Sequence, residues 1–176
     1  QLAGAPPADL YAATLVAPPH RGPGRPMANH LERLRAIVAA ADGVDDWRRR
    51  MCEVALETDA ASDGSWSAQW RSMVAARFAN HEWPAHRVLI TAVDAHTAEP
   101  VTFDHDSRID LVDAGAASCA GGPPYRIGDG LYIDGGYRVN AENADLAAGY
   151  DRVLVLSPLG VVRVHIWEEG TGQWTD

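Results

Sequence analysis

Two heptapeptides constrain the architecture more than anything else in this chain. "RVLITAV" (87–93) and "RVLVLSP" (152–158) are almost unbroken apolar runs rich in branched residues. A strand with one wet face alternates polar and apolar residues, whereas these runs fit strands buried on both faces, as in a parallel sheet covered by helices. Helices are available to cover it. Pro6 and Pro7 precede a short helix, Ala8 to Leu15. Asn29 can cap the next helix, with Glu32 three residues on and Leu31, Leu34 and Val38 in one stripe. Val44, Trp47, Met51 and Val54 form a second stripe after Gly43, and Trp66, Trp70, Met73, Val74 and Phe78 a third. Residues 29–80 therefore read as a helical section. "EPVTF" (99–103), after a turn at Asp94–Thr97, "LYI" (131–133) and "VVRVHIW" (161–167) supply further strands, and Asp110 can cap a helix from Leu111 to Ser118. The expected fold class is α/β, three layers deep, with a mostly parallel central sheet.

Composition narrows the partners. The hydrophobic fraction of 47% and six tryptophans argue against disorder. A formal net charge of −9 leaves no basic patch to balance phosphates, which speaks against nucleic acid. The same charge weakens electrostatic docking on an anionic bilayer, though not apolar insertion. No run approaches the roughly 20 apolar residues of a membrane-spanning helix. Two cysteines, Cys52 and Cys119, make no disulfide framework, so a cytoplasmic setting is expected. The chain opens at Gln1 in "QLAGAPP", which reads as the tail of a helix and its exit loop, an interior start.

The residues that could carry chemistry are few. "LYIDGGYRVN" (131–140) places Asp134 at the end of an apolar strand, where a carboxylate is costly to desolvate unless something needs its charge. Gly135 and Gly136 let the backbone turn tightly there. Asp134 is either a general base or a turn aspartate bonding its own backbone, and the motif alone favours the turn. "FDHDS" (103–107) sets Asp104 and Asp106 opposite His105; the carboxylates could hold Mg²⁺ or Ca²⁺, but a solvated loop suits the spacing better. Ser118 fails the Gly-x-Ser-x-Gly elbow because Ala116 and Ala120 occupy the glycine positions. "GSWSA" (64–68) fails it too, on a helix start. Cys119 has no histidine after it before His165, which makes a small buried thiol the better expectation. "GDG" (128–130) is a hairpin turn with no phosphate-binding context. The chain holds a base and no activated nucleophile.

"RVLITAVDAHTAEPVTFDHDSRIDLVDAGAASCA", followed by "LYIDGGYRVNAENADLAAGYDRVLVLSPLG", closely resembles the bacterial branch of the patatin-like phospholipase family. The resemblance runs in order from about Gln1 to Gly160. It implies a three-layer α/β/α serine acyl hydrolase with a Ser–Asp dyad and no metal or organic cofactor. The family's Asp-Gly-Gly motif matches Asp134, Gly135 and Gly136, which makes Asp134 the implied proton acceptor. The oxyanion loop and the serine elbow of the family lie N-terminal to everything present here, so residues 1–176 resemble a partial domain lacking both. Two departures stand out: "GGPP" (121–124) is shorter than the corresponding stretch, and 161–176 diverges as a tail.

The implied function is hydrolysis of lipid or other acyl esters, with transient contact at a membrane surface. Two rivals remain open. One is an α/β-hydrolase using Asp134 and His165; the other is a catalytically inactive remnant that binds acyl chains or a partner protein.

Overall fold

The computed structural model describes residues 6–16, 27–140, 142–157, 166–168 and 173–175. Five helices lie among them: α1 (Pro7–Val16), α2 (Met27–Ala40), α3 (Val44–Ala60), α4 (Trp66–Ala75) and α5 (Leu111–Ser118). Four strands, β1 (Ile90–Asp94), β2 (Pro100–Phe103), β3 (Tyr125–Ile127) and β4 (Gly130–Asp134), form one sheet in the order β2-β1-β4-β3. A separate two-stranded ladder joins β5 (Ile166–Glu168) to β6 (Gln173–Thr175). The protein is mixed α/β.

The sheet is antiparallel at every pairing, which corrects the expected parallel sheet. Short connections are the physical cause. Gly128 and Asp129 alone link β3 to β4, and only five residues link β1 to β2; a parallel crossover needs a dozen or more. The burial on both faces expected of the run at 87–93 is present in β1, but between antiparallel neighbours. Ile90 and Ala92 pack with Phe103, Tyr125, Leu111 and Val74 against α4 and α5. Val93, on the other face, packs with Leu131 and Ile133 against Met51, Cys52 and Ala55 of α3. Helices thus cover both faces of an antiparallel sheet.

The described part of the second heptapeptide does not enter the sheet. Residues 152–157 are in no strand, and Leu154 and Leu156 are 76% and 77% exposed. Pro158 and the segment up to His165 lie outside the described residues, as does Gln1.

Side chains at the helix ends agree with local chemistry. Asp110 Oδ1 accepts from the Val112 N–H at 2.8 Å and caps α5 as its position suggests. Asp94 Oδ1 accepts from the N–H groups of His96 and Thr97, closing the expected turn. α2 starts at Met27, so Asn29 lies inside the helix and not at its cap. Trp70 and Trp83 tie their indole N–H groups to the Ala116 and Ile109 carbonyls, at 2.9 and 2.8 Å, and thereby seat α5. That seating fixes the loop that follows α5, and the loop borders Asp134.

Candidate active site around Asp134

Strand alternation decides which way Asp134 faces. Leu131 and Ile133 point to the α3 side, while Tyr132 packs with the α5 cluster. Asp134 is in phase with Tyr132 and stands opposite Ala92 in register. Its side chain therefore leaves the sheet on the α5 side, where the chain emerges from that helix. The Asp134 N–H donates to the Ala120 carbonyl at 3.0 Å, which pins the strand end to the loop.

The carboxylate is half turned into local structure. Oδ1 accepts from the Gly136 N–H at 2.8 Å, the geometry of a turn aspartate, and Asp134 caps the 3-10 turn Gly135–Tyr137. Oδ2 has no hydrogen-bond partner among the described residues. Burial raises the pKa of the group above the usual carboxylate value, with the Gly136 bond opposing it in part. A carboxylate with a free oxygen and a raised pKa is a better proton acceptor than a solvated surface aspartate.

Gly135 is dictated by close packing. A Cβ there would lie 2.2 Å from both the carbonyl oxygen and the Oγ1 of Thr91. The backbone of β1 cannot retreat from such a clash, so only glycine fits. Asn143 holds the same turn from outside, its Nδ2 donating to the Gly135 carbonyl at 2.9 Å and to Thr91 Oγ1 at 3.3 Å. Asn143 has φ of 49°, in the left-handed region that asparagine tolerates better than most residues. Arg48 of α3 reaches the following loop. It donates from Nε to the Ala98 carbonyl and from Nη1 to the Arg138 carbonyl, both at 2.7 Å.

Three groups surround the carboxylate. A Cβ placed on Gly121 would lie 3.8 Å from Asp134 Oδ2 and 3.9 Å from the Tyr137 hydroxyl. Cys119 caps the end of α5 and is exposed, which corrects the expectation of a buried thiol. Desolvation by its immediate surroundings and then the charge of Asp134 still push its pKa up, so it is a poor nucleophile. Tyr137 is pushed up to about 12 by burial and then by Asp134. The buried cysteine is Cys52, in α3. In the short "GGPP" loop the first glycine faces the carboxylate and Pro124 is buried.

The other candidates stand apart. Ser118 ends α5, and no hydrogen bond among the described residues joins it to Asp134. Ser65 caps α4 and Ser67 lies within it. Asp104 Oδ1 accepts from the Asp106 N–H and the Ser107 hydroxyl, a capping arrangement for the 3-10 turn His105–Ser107. Among the described residues no three His, Cys, Asp or Glu side chains gather as a metal site. His165 lies outside those residues. A groove of about 360 Å³ is lined by Leu89, Thr91, Asn143, Leu146 and Tyr150, with Arg87, Glu142 and Ala147. No described helix is long and apolar enough to cross a membrane.

Sequence reasoning found Asp134 and its glycines but missed Tyr137, Asn143 and Arg48. Asn143 had one readable signal, an asparagine in a loop requiring positive φ; Tyr137 and Arg48 act through long-range packing that no periodicity encodes. No family model, curated protein or solved structure matches the chain.

Proposed function

We propose that this chain carries the base of a patatin-like serine acyl hydrolase, with Asp134 as proton acceptor for a serine outside these 176 residues. The observation that carries the reading is the state of Asp134: half-buried, raised in pKa, and with Oδ2 unpaired beside an open glycine loop. Asp134 would take the proton of an elbow serine as that serine attacks an acyl ester, then activate the water that releases the acyl group. The Gly135 packing supports a turn whose exact placement matters, since a plain surface turn has no need of such contact with β1. Two segments support the need for another strand. Among the described residues, 87–89 and 152–157 are in no strand.

Lipid or other acyl esters are the substrate class, and the apolar wall of the groove formed by Leu89, Leu146 and Tyr150 suits an acyl chain. A second reading, a catalytically inactive module that binds apolar ligands or a partner, is favoured by the exposed Tyr150, Leu154 and Leu156. Fusing a strand that ends in a Gly-x-Ser-x-Gly elbow ahead of Gln1 separates the two. The hydrolase reading expects hydrolysis of nitrophenyl esters, with kcat collapsing in Asp134→Asn while KM holds. Binding of a fatty-acid probe with no turnover would leave only the second.

A further inference from the structure

The hydroxyl of Tyr137 and Oδ2 of Asp134 both face Gly121, at 3.9 and 3.8 Å from where a Cβ on that glycine would lie. Tyr137 packs its ring edge-on against Trp47 of α3, with ring centroids 5.6 Å apart and planes at 78°. Its one hydrogen bond, to the Gly121 carbonyl, is 3.5 Å long, at the outer limit for a real bond. Asp134 and Tyr137 are three residues apart across a single 3-10 turn, a spacing that brings side chains onto one side. The donor is weakly engaged and the acceptor is empty.

We propose that Tyr137 is a positioning residue for Asp134: its hydroxyl turns from Gly121 to Oδ2 and holds the carboxylate as an anion ready to accept a proton. The inference rests on the reading of Asp134 as a base, but its first test does not require catalysis. Burial disfavours the Asp134 anion, and a donor on Oδ2 opposes burial as Gly136 already does on Oδ1. The other ionisable groups bearing on the site are the Cys119 thiol at the end of α5 and, through it, Arg77 just past α4. The Cys119 thiol, pushed up by burial and by the Asp134 charge, stays neutral where Asp134 titrates and does not reproduce the effect of the hydroxyl.

The test is a carboxyl titration of the chain labelled with ¹³C-aspartate, in which the Asp134 signal is the one absent from Asp134→Asn. Tyr137→Phe keeps the ring on Trp47 and should move the Asp134 midpoint up by roughly one unit, the shift that follows loss of a hydrogen bond to a charged group. Replacing Tyr137 by 3-fluorotyrosine, a stronger donor with the same shape, should move it down, and decides the matter if the Phe variant folds poorly. In the serine-completed protein the acid limb of kcat/KM should move with the titration. A midpoint unchanged in the fluorotyrosine protein overturns the proposal. A shift without any ester hydrolysis would uphold it and count against the hydrolase reading alone.

Discussion

At the scale of single residues, Asp134 and Gly135 divide the labour of the turn, one exposing charge and the other permitting contact. The Asp134 pKa is raised in the folded chain, so the fold binds its proton more tightly than the unfolded chain does. That linkage favours the fold below the ordinary carboxylate value of 3.8 and is lost as pH rises through the folded value. Asp134→Asn removes the loss and can still accept from the Gly136 N–H. The variant should melt at a higher temperature than the native chain at pH 7, with the gap closing as the pH falls below about 4. Gly135→Ala should act in the opposite direction. Its methyl would meet Thr91 backbone at 2.2 Å, and the displacement should cost about 3 kcal/mol in urea denaturation, the upper range for overpacking. A glycine chosen for turn flexibility alone would lose well under half of that.

Among the elements, α3 is tied to the site by Arg48 as well as by its apolar contacts. Its guanidinium side chain is 11% exposed and bonds two loop carbonyls as well as Asp45. Arg48→Ala leaves both carbonyls short of a donor and should cost about 3 kcal/mol, whereas Arg48→Lys should recover only part, because an ammonium cannot span the fork. Equilibrium denaturation of the two variants measures the difference. The elements were legible where local chemistry sets them. α3 follows the stripe of Trp47, Met51 and Val54, and α5 runs from its Asp110 cap to Ser118 as its sequence suggests. Strand direction was not legible. An apolar run such as 87–93 reports burial on two faces, and that is what β1 has, but burial is the same for parallel and antiparallel neighbours. The run at 152–157 is similarly apolar and is in no strand, because pairing depends on a partner that residue type cannot supply. At the site, the Asp-Gly-Gly triplet was readable, while Tyr137 and Arg48 came from contacts across the chain.

For the molecule as a whole, an antiparallel sheet with helices on both faces coexists with an apolar segment outside it. Leu154 and Leu156 project into solvent from a stretch that makes no sheet pairing, and such stretches template pairing with other chains. The isolated chain should self-associate in sedimentation velocity, and the double variant Leu154→Lys, Leu156→Lys should shift it toward monomer; a native chain that is monomeric throughout the micromolar range would count against this. The central claim, however, concerns the partnership of Asp134 with a serine from outside these residues. Fluorophosphonate labelling followed by mass spectrometry reads it directly, on the chain alone, on the elbow-completed protein, and on its Asp134→Asn form. The account predicts no label on the chain alone, stoichiometric label on the elbow serine of the completed protein, and little label once Asp134 is Asn. Label on Ser118 or another serine of the chain, or equal labelling with and without the Asp134 carboxylate, would contradict it.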